Sequence, residues 1–343
     1  MKRKELKLYD VPKITTIQEM ILMNCTKYSS KLALEDLNNT PINRLSYTEL
    51  LTTILKFGSA LQKLGIKERA HISLIGENRV QWSLTYLTCM AFNYVVVPID
   101  KNLTENEIFN IIYESDSEAI VFSESFSDML SKVSSTKKLK HFICMDETSA
   151  DDKFLIMNNL ISDSKPISSD KMPKIDPDDL AEIIFTSGSL GRAKGVMLSQ
   201  KNLASNLVDM VSMLFMYPED RFLSVLPIHH TYECTCGMLC PLYSGSSVHY
   251  ARSLKTVVDD LQKVKATMLL GVPLLFDKMF KRISKTIKED KIKSKIVPPL
   301  VKLTNLAAFL GFKELRKKVF KEMHHKFGGS LRFFIAGGAA PDP

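Results

Sequence analysis

A chain of 343 residues, 45% hydrophobic and 24% charged, has enough apolar material for two or three cores and too ordinary a charge content for a disordered polypeptide. Its net charge of +8 comes from one segment, since residues 278–332 hold sixteen Lys and Arg against four Asp and Glu and the remainder is slightly acidic. No uninterrupted apolar run approaches a membrane span, Met1-Lys-Arg-Lys is followed by Glu5 and Asp10 instead of a signal-peptide core, and six scattered cysteines point to a reducing cytoplasm.

SYTELLTTILKFGSALQKLG (46–65) opens with Ser46-x-x-Glu49, the spacing of a capping box, continues with apolar residues at helical spacing and stops at Gly65. Next come HISLIG (71–76), an increasingly apolar segment ending in Trp82–Phe92, VVVPI (95–99), a helical TENEIFNIIYES (104–115) and AIVFS (119–123). Strands alternating with helices predict a parallel, doubly wound sheet. Residues 123–177 are polar, rich in Ser, Asp and Lys, and are expected to hold a seam. Alternation resumes with AEIIF (181–185), VML (196–198), RFLSVL (221–226), SSVHY (246–250), ATMLL (266–270) and LRFFIA (331–336), with helices expected over 201–215 and 253–264. The expected fold class is α/β, with two doubly wound αβ lobes: residues 1–177, including an N-terminal helical or hairpin segment, and residues 178–343. The basic stretch 278–332 reads first as a solvated helical face and second as a contact with an anionic membrane. With no recognisable nucleic-acid module, no nucleic-acid partner is expected.

Between AEIIF and VML lies a turn containing Thr186, Ser187, Gly188, Ser189, Gly191, Arg192, Lys194 and Gly195. A surface turn would use such residues. So would a phosphate cradle, in which glycines admit backbone N–H groups, hydroxyls donate and lysine supplies charge. The G-x-x-x-x-G-K-[ST] pattern fails here, because counting from Gly188 the second glycine is Ala193 and Lys194 is followed by Gly195. Cys234, Cys236 and Cys240 have no usual zinc spacing and read as a buried helix, so no protein-ligated metal is expected. LRFFIA runs into Gly337-Gly338 five residues before the end, which reads as a strand–glycine turn of a protein cut short.

In combination these segments are more specific than any one of them. TSGSLGRAKGV (186–196), LPIHHTYE (226–233), GGAAPDP (337–343) and the block beginning at Ser46 resemble, in order, the motifs of the AMP-forming adenylating enzymes: acyl-CoA synthetases, luciferases and peptide-synthetase adenylation domains. Pro-x-x-His-x-Tyr-Glu and the long basic stretch before Gly337 look most like the long-chain fatty-acid CoA ligases. The resemblance implies an N-terminal domain of that superfamily without its small C-terminal domain, a form not expected to turn over alone.

The resemblance also implies the chemistry. A carboxylic acid, here a medium- or long-chain fatty acid, would react with ATP to give acyl-AMP and pyrophosphate, and then pass its acyl group to CoA. Magnesium would bridge phosphate oxygens. Thr186, Ser187, Gly188, Ser189, Gly191, Lys194 and Gly195 would hold the phosphates, with Lys194 balancing the leaving pyrophosphate. His230 would meet the carboxylate and α-phosphate, Tyr232 and Glu233 would border the acyl entrance, and Gly337, Gly338, Ala339 and Ala340 would wall the adenine. The sequence departs from the pattern at Leu190, where a second Thr is usual, and at Ala193, where Pro is usual. Loss of one hydroxyl contact to a charged phosphate would weaken binding about tenfold or more. The alternatives are another acid (amino or aryl), a carrier-protein acceptor, or a nucleotide-binding homologue without turnover; His229 and His230 as mere helix caps remain a further reading. The expected location is cytoplasmic with membrane contact, and the oligomeric state is left open.

Overall fold

The computed structural model describes residues 8–38, 40–133, 138–147, 151–186, 194–291, 293–312 and 314–339. These residues form two compact units, one from Met1–Asp220 with Pro227–Tyr250 and one from Arg221–Leu226 with Ala251–Pro343.

Local sequence signals start the helices of the first unit. α1 (Ile17–Lys27), α2 (Tyr47–Lys63) and α4 (Glu105–Glu114) each begin at a complete capping box, formed by Thr16 with Glu19, Ser46 with Glu49 and Thr104 with Glu107. α2 turns Leu50, Ile54, Phe57 and Leu61 inward. It carries Gly58 where α2 passes the Phe92 ring, because a Cβ there would lie 2.1 Å from Phe92 Cε2. α3 (Val80–Ala91) is buried on all sides and so has no polar face to betray its period.

Strands β1 (Leu32–Asp36) and β2 (Arg44–Ser46) pair antiparallel, and β1 pairs in parallel with β11 (Ser247–Tyr250). The seven-stranded sheet of the same unit comprises β3 (His71–Ile75), β4 (Val95–Ile99), β5 (Ala119–Phe122), β6 (His141–Cys144), β7 (Leu155–Ile156), β8 (Leu180–Thr186) and β9 (Lys194–Ser199). Its order is β7-β6-β5-β3-β4-β8-β9, parallel throughout except for the β8–β9 pair. Ile75, Val97, Ile120, Phe122, Phe142 and Ile183 belong to one core cluster beside it. The near-continuous apolar runs of β3, β4 and β5 are what a sheet covered on both faces requires.

The second unit contains β10 (Arg221–Ser224), β12 (Met268–Gly271) and β13 (Phe333–Ala336), with β12 parallel to both of the others. Its helices include Val257–Val264, Pro273–Glu289 and Lys293–Phe309. Among the described residues, no helix is long and apolar enough to cross a membrane.

Two organisational expectations need correction. The polar stretch 123–177 is no seam, since it supplies β6 and β7 to the outer edge of the first sheet, where one wetter flank is tolerated. The expected division at 177/178 also fails, because β8 is hydrogen-bonded beside β4 and carries β9 with it; the compact units part instead at 220/221, 226/227 and 250/251.

Candidate active site

The β8–β9 hairpin positions both ends of the candidate phosphate loop. Thr186 ends β8, Lys194 begins β9, and the two are Cα partners across the hairpin. Both are exposed. One rung inward Phe185 faces Gly195, and a Cβ on Gly195 would lie 2.9 Å from Ile183 Cγ2. Glycine there lets the returning strand close down on Ile183 and Phe185. The expected phosphate ligands Ser187, Gly188, Ser189 and Gly191, with Leu190 and Ala193, lie outside the described residues.

The turn Pro227–His230 is held by backbone bonds. Ile228 N–H donates to Asn78 Oδ1 at 3.1 Å, and His230 N–H donates to the Pro227 carbonyl at 3.1 Å. Cys234 N–H donates to the His230 carbonyl at 2.9 Å, so the backbone of His230, not its imidazole, starts the following helical turn. His229 is buried and His230 exposed, with ring centroids 4.1 Å apart. His229 Nε2 lies 3.4 Å from Asp100 Oδ1. Burial, reinforced by the His230 ring and opposed by Asp100, pushes the His229 imidazole down to about 4, so it is neutral near pH 7.

Topology joins these two features. Asp100 directly follows β4, Thr186 ends β8, and β4 and β8 run parallel with Val96 opposite Glu182. The histidine pair, through Asp100, and the mouth of the candidate phosphate loop therefore share the carboxyl end of one parallel sheet, where open α/β sheets bind ligands.

Behind the histidines the chain forms a π-helix, Glu233–Leu239, a rare turn type that is frequent at functional sites. Glu233 is wholly buried, so it does not border an open entrance as expected. Its carboxyl group folds onto Gly237, where a Cβ would lie 2.7 Å from Glu233 Cδ. Tyr232 is partly buried, and burial first, then Cys236 and Glu233, pushes its hydroxyl up to about 12. Cys234, Cys236 and Cys240 are buried as expected, and burial pushes the Cys236 thiol up to about 11.

Sequence reasoning missed Asp100, Asn78 and Glu182. Asp100 had a usable signal, as the first polar residue after an apolar strand of a parallel sheet. Glu182, the lone acid in AEIIF, is buried and accepts from the Tyr86 hydroxyl at 3.1 Å; burial pushes its carboxyl up to about 7. In the second unit, Gly337 N–H donates to the Gly271 carbonyl at 3.1 Å and Gly338 has φ +78°, so the expected adenine wall begins in a turn that only glycine enters easily. Ala339 follows it, and Ala340 lies outside the described residues.

A family model described as AMP-binding enzyme matches residues 23–343. Long-chain-fatty-acid–CoA ligase 5 of Rattus norvegicus is 27% identical over 331 residues, covering 88% of this chain and 47% of that ligase. The chloroplastic long-chain-fatty-acid–[acyl-carrier-protein] ligase AEE15 of Arabidopsis thaliana is 27% identical over 323 residues, covering 87% and 42%. The chain thus spans less than half the length of these two curated relatives. Among solved structures, apo MatB from Rhodopseudomonas palustris matches with a TM-score of 0.71 at 20% identity, over 95% of this chain and 55% of MatB. The anthranilate CoA ligase AuaEII, solved with anthranoyl-AMP, matches with a TM-score of 0.70 at 18% identity, over 78% and 51%. These structural likenesses carry the fold alone, a mixed α/β architecture with parallel-rich sheets.

Proposed function

Because the chain belongs to the AMP-binding enzyme family, its model matching residues 23–343, we propose that the protein carrying it activates a carboxylic acid with ATP. The acid of this proposal is a medium- or long-chain fatty acid and the final acceptor is CoA. The observation that carries the reading is the convergence of Asp100 with the histidine pair, and of Thr186 with Lys194, on the carboxyl end of one parallel sheet.

In the first step a carboxylate oxygen attacks the α-phosphorus of ATP. The new C–O–P linkage forms as the bond to pyrophosphate breaks. Carboxylate and triphosphate repel one another, so the site must offset charge and hold the two in line. Thr186, Ser187, Gly188, Ser189, Gly191 and Gly195 would hold the β- and γ-phosphates, and the Lys194 ammonium would offset charge accumulating on pyrophosphate. The exposed His230 imidazole would orient the carboxylate, and Tyr232 would stand beside the acyl path. Gly337, Gly338, Ala339 and Ala340 would lie flat against adenine. In the second step a CoA thiolate attacks the acyl carbon, AMP leaves with the bonding pair, and the thiol proton passes to solvent.

Magnesium would arrive on the phosphate oxygens of the nucleotide. The described side chains gathered at His230 are one carboxylate and two imidazoles, a donor set poorly suited to an ion that wants oxygen ligands. The segment 278–332 supports a second feature of the proposal, contact with an anionic membrane, because Phe280, Phe309 and Phe312 stand exposed among its lysines. Sedimentation with anionic and neutral vesicles at two salt concentrations tests that contact.

ATP–pyrophosphate exchange, measured with acids from acetate to palmitate and with amino and aryl acids, tests the function. Exchange driven by long fatty acids bears it out. Exchange driven by amino or aryl acids overturns the substrate, and ATP binding without exchange overturns turnover. Since the two relatives act on different acceptors by name, CoA and acyl carrier protein, each is then offered as thiol.

A further inference from the structure

We infer that Asp100, His229 and His230 form a binding site for a divalent transition-metal ion of the zinc class. One ligand atom from each of the three lies within 4.8 Å of the others. Zinc bonds to nitrogen and oxygen are about 2.0–2.2 Å long, so two ligands of one tetrahedral ion stand about 3.3–3.6 Å apart. His229 Nε2 and Asp100 Oδ1, at 3.4 Å, already have that separation. The two imidazoles, with centroids 4.1 Å apart and planes at 49°, need only a side-chain adjustment of the exposed His230 to complete the set.

A second observation points to a ligand independently of this clustering. His229 is 8% exposed, and its Nε2 is buried without a hydrogen bond of good geometry. A buried polar atom left in that state has lost its hydration without a full replacement. A cation between this nitrogen and the Asp100 carboxylate would engage both.

The supports are rigid. Asp100 leaves the interior strand β4, and the histidine turn is tied to Asn78 and to its own backbone. Exposure of His230 provides an entry path and leaves further coordination positions for water. Imidazoles with a carboxylate suit Zn2+, Co2+ and Ni2+, whereas Mg2+ and Ca2+ prefer all-oxygen sets. The site shares His230 with the acyl-activation reading, but its existence does not depend on that reading.

The test is binding of metal alone to the chelator-stripped 343-residue chain. Co2+ is followed by its visible absorption, Zn2+ by calorimetry, and Mg2+ serves as the contrasting ion. The expected result is one Co2+ or Zn2+ per chain, undisplaced by Mg2+ in large excess. Asp100→Asn and His229→Asn each remove a direct ligand and should weaken binding by about 100-fold or more, beyond the roughly 10–100-fold that loss of an outer-shell partner costs. Thermal melting of each variant establishes that it is folded; a variant that does not fold is replaced by His230→Asn, whose exposed ring can be removed without loss to the core. The double variant His324→Gln/His325→Gln, which removes the other adjacent histidine pair, binds as the parent does. Absence of stoichiometric binding, unchanged affinity in a folded Asp100→Asn chain, or loss of binding in the His324/His325 variant overturns the inference.

Discussion

The hydroxyl of Tyr86 donates to Glu182 Oε2 at 3.1 Å, both side chains buried, four residues before the strand ends at Thr186. Burial pushes the Glu182 carboxyl from its ordinary 4.5 up to about 7, with the Tyr86 bond pulling the other way. Below about pH 4.5 the carboxyl is protonated whether the chain is folded or not, and no penalty arises. Between about 4.5 and 7 the unfolded chain loses the proton and the folded chain keeps it, so stability falls as pH rises. The loss is on the order of 3 kcal/mol by pH 8. Glu182→Gln still accepts from Tyr86 and cannot ionise. Denaturant titrations at pH 5 and pH 8 should therefore differ less for the variant than for the parent. An equal difference would place the pH dependence elsewhere.

Lys194 faces Thr186 at the mouth of the proposed phosphate loop, and both are exposed. Lys194→Ala is expected to reduce ATP–pyrophosphate exchange by about 10²–10³-fold, the usual effect of removing one preorganised donor to developing charge. Thr186→Ala, which removes a single hydroxyl, should cost about tenfold. Neither touches the core, so melting should be almost unchanged, within about 0.5 kcal/mol. A large fall in melting temperature would mean that the residues hold the hairpin together and would leave the phosphate role without support.

The parts legible in the sequence share a physical character: they are local. The Ser46–Glu49 and Thr104–Glu107 boxes involve residues three apart, so their helices could be read directly. The apolar runs of β3, β4 and β5 announce a sheet buried on both faces. The parts that could not be read depend on distant partners. Asp100 meets His229 only because β4 and the turn after Leu226 come together in three dimensions, and no spacing encodes that pair. β6 escaped notice because HFIC is only four residues long and set in polar sequence, with the two-residue β7 as its outer partner. The chemical motif around His230 was visible, whereas the burial of its neighbour Glu233 was not.

Gly237 and Glu233 give a direct test of why a π-helix forms. The Glu233 carboxyl occupies the space a side chain at 237 would need, with only 2.7 Å from a built Cβ to Glu233 Cδ. Gly237→Ala should therefore destabilise the chain by about 1–3 kcal/mol through overpacking, despite the better helix propensity of alanine. Shortening the acid in a Gly237→Ala/Glu233→Ala double variant should relieve the clash and leave a coupling energy of at least about 0.5 kcal/mol in denaturant titrations. Additive effects would show that the two positions do not compete for space.

His230 serves two proposals, and zinc can separate them. If its imidazole orients the substrate carboxylate, a metal that binds the same ring should suppress exchange, and a chelator should restore it. Asp100→Asn would then bind zinc weakly and should retain a larger fraction of its own exchange rate at a zinc concentration that silences the parent. The ratio of rates with and without zinc is the quantity to compare, because it cancels any direct effect of the substitution. Zinc that binds stoichiometrically yet leaves exchange intact would uphold the metal site and remove His230 from the acyl-activating chemistry. Zinc inhibition that is equally strong in Asp100→Asn would locate the inhibitory ion away from Asp100. The rings of His229 and His230 stand 4.1 Å apart on one short turn, yet burial gives them different tasks. The inner ring anchors a cation against Asp100, and the outer ring is the one that substrate and metal must contest.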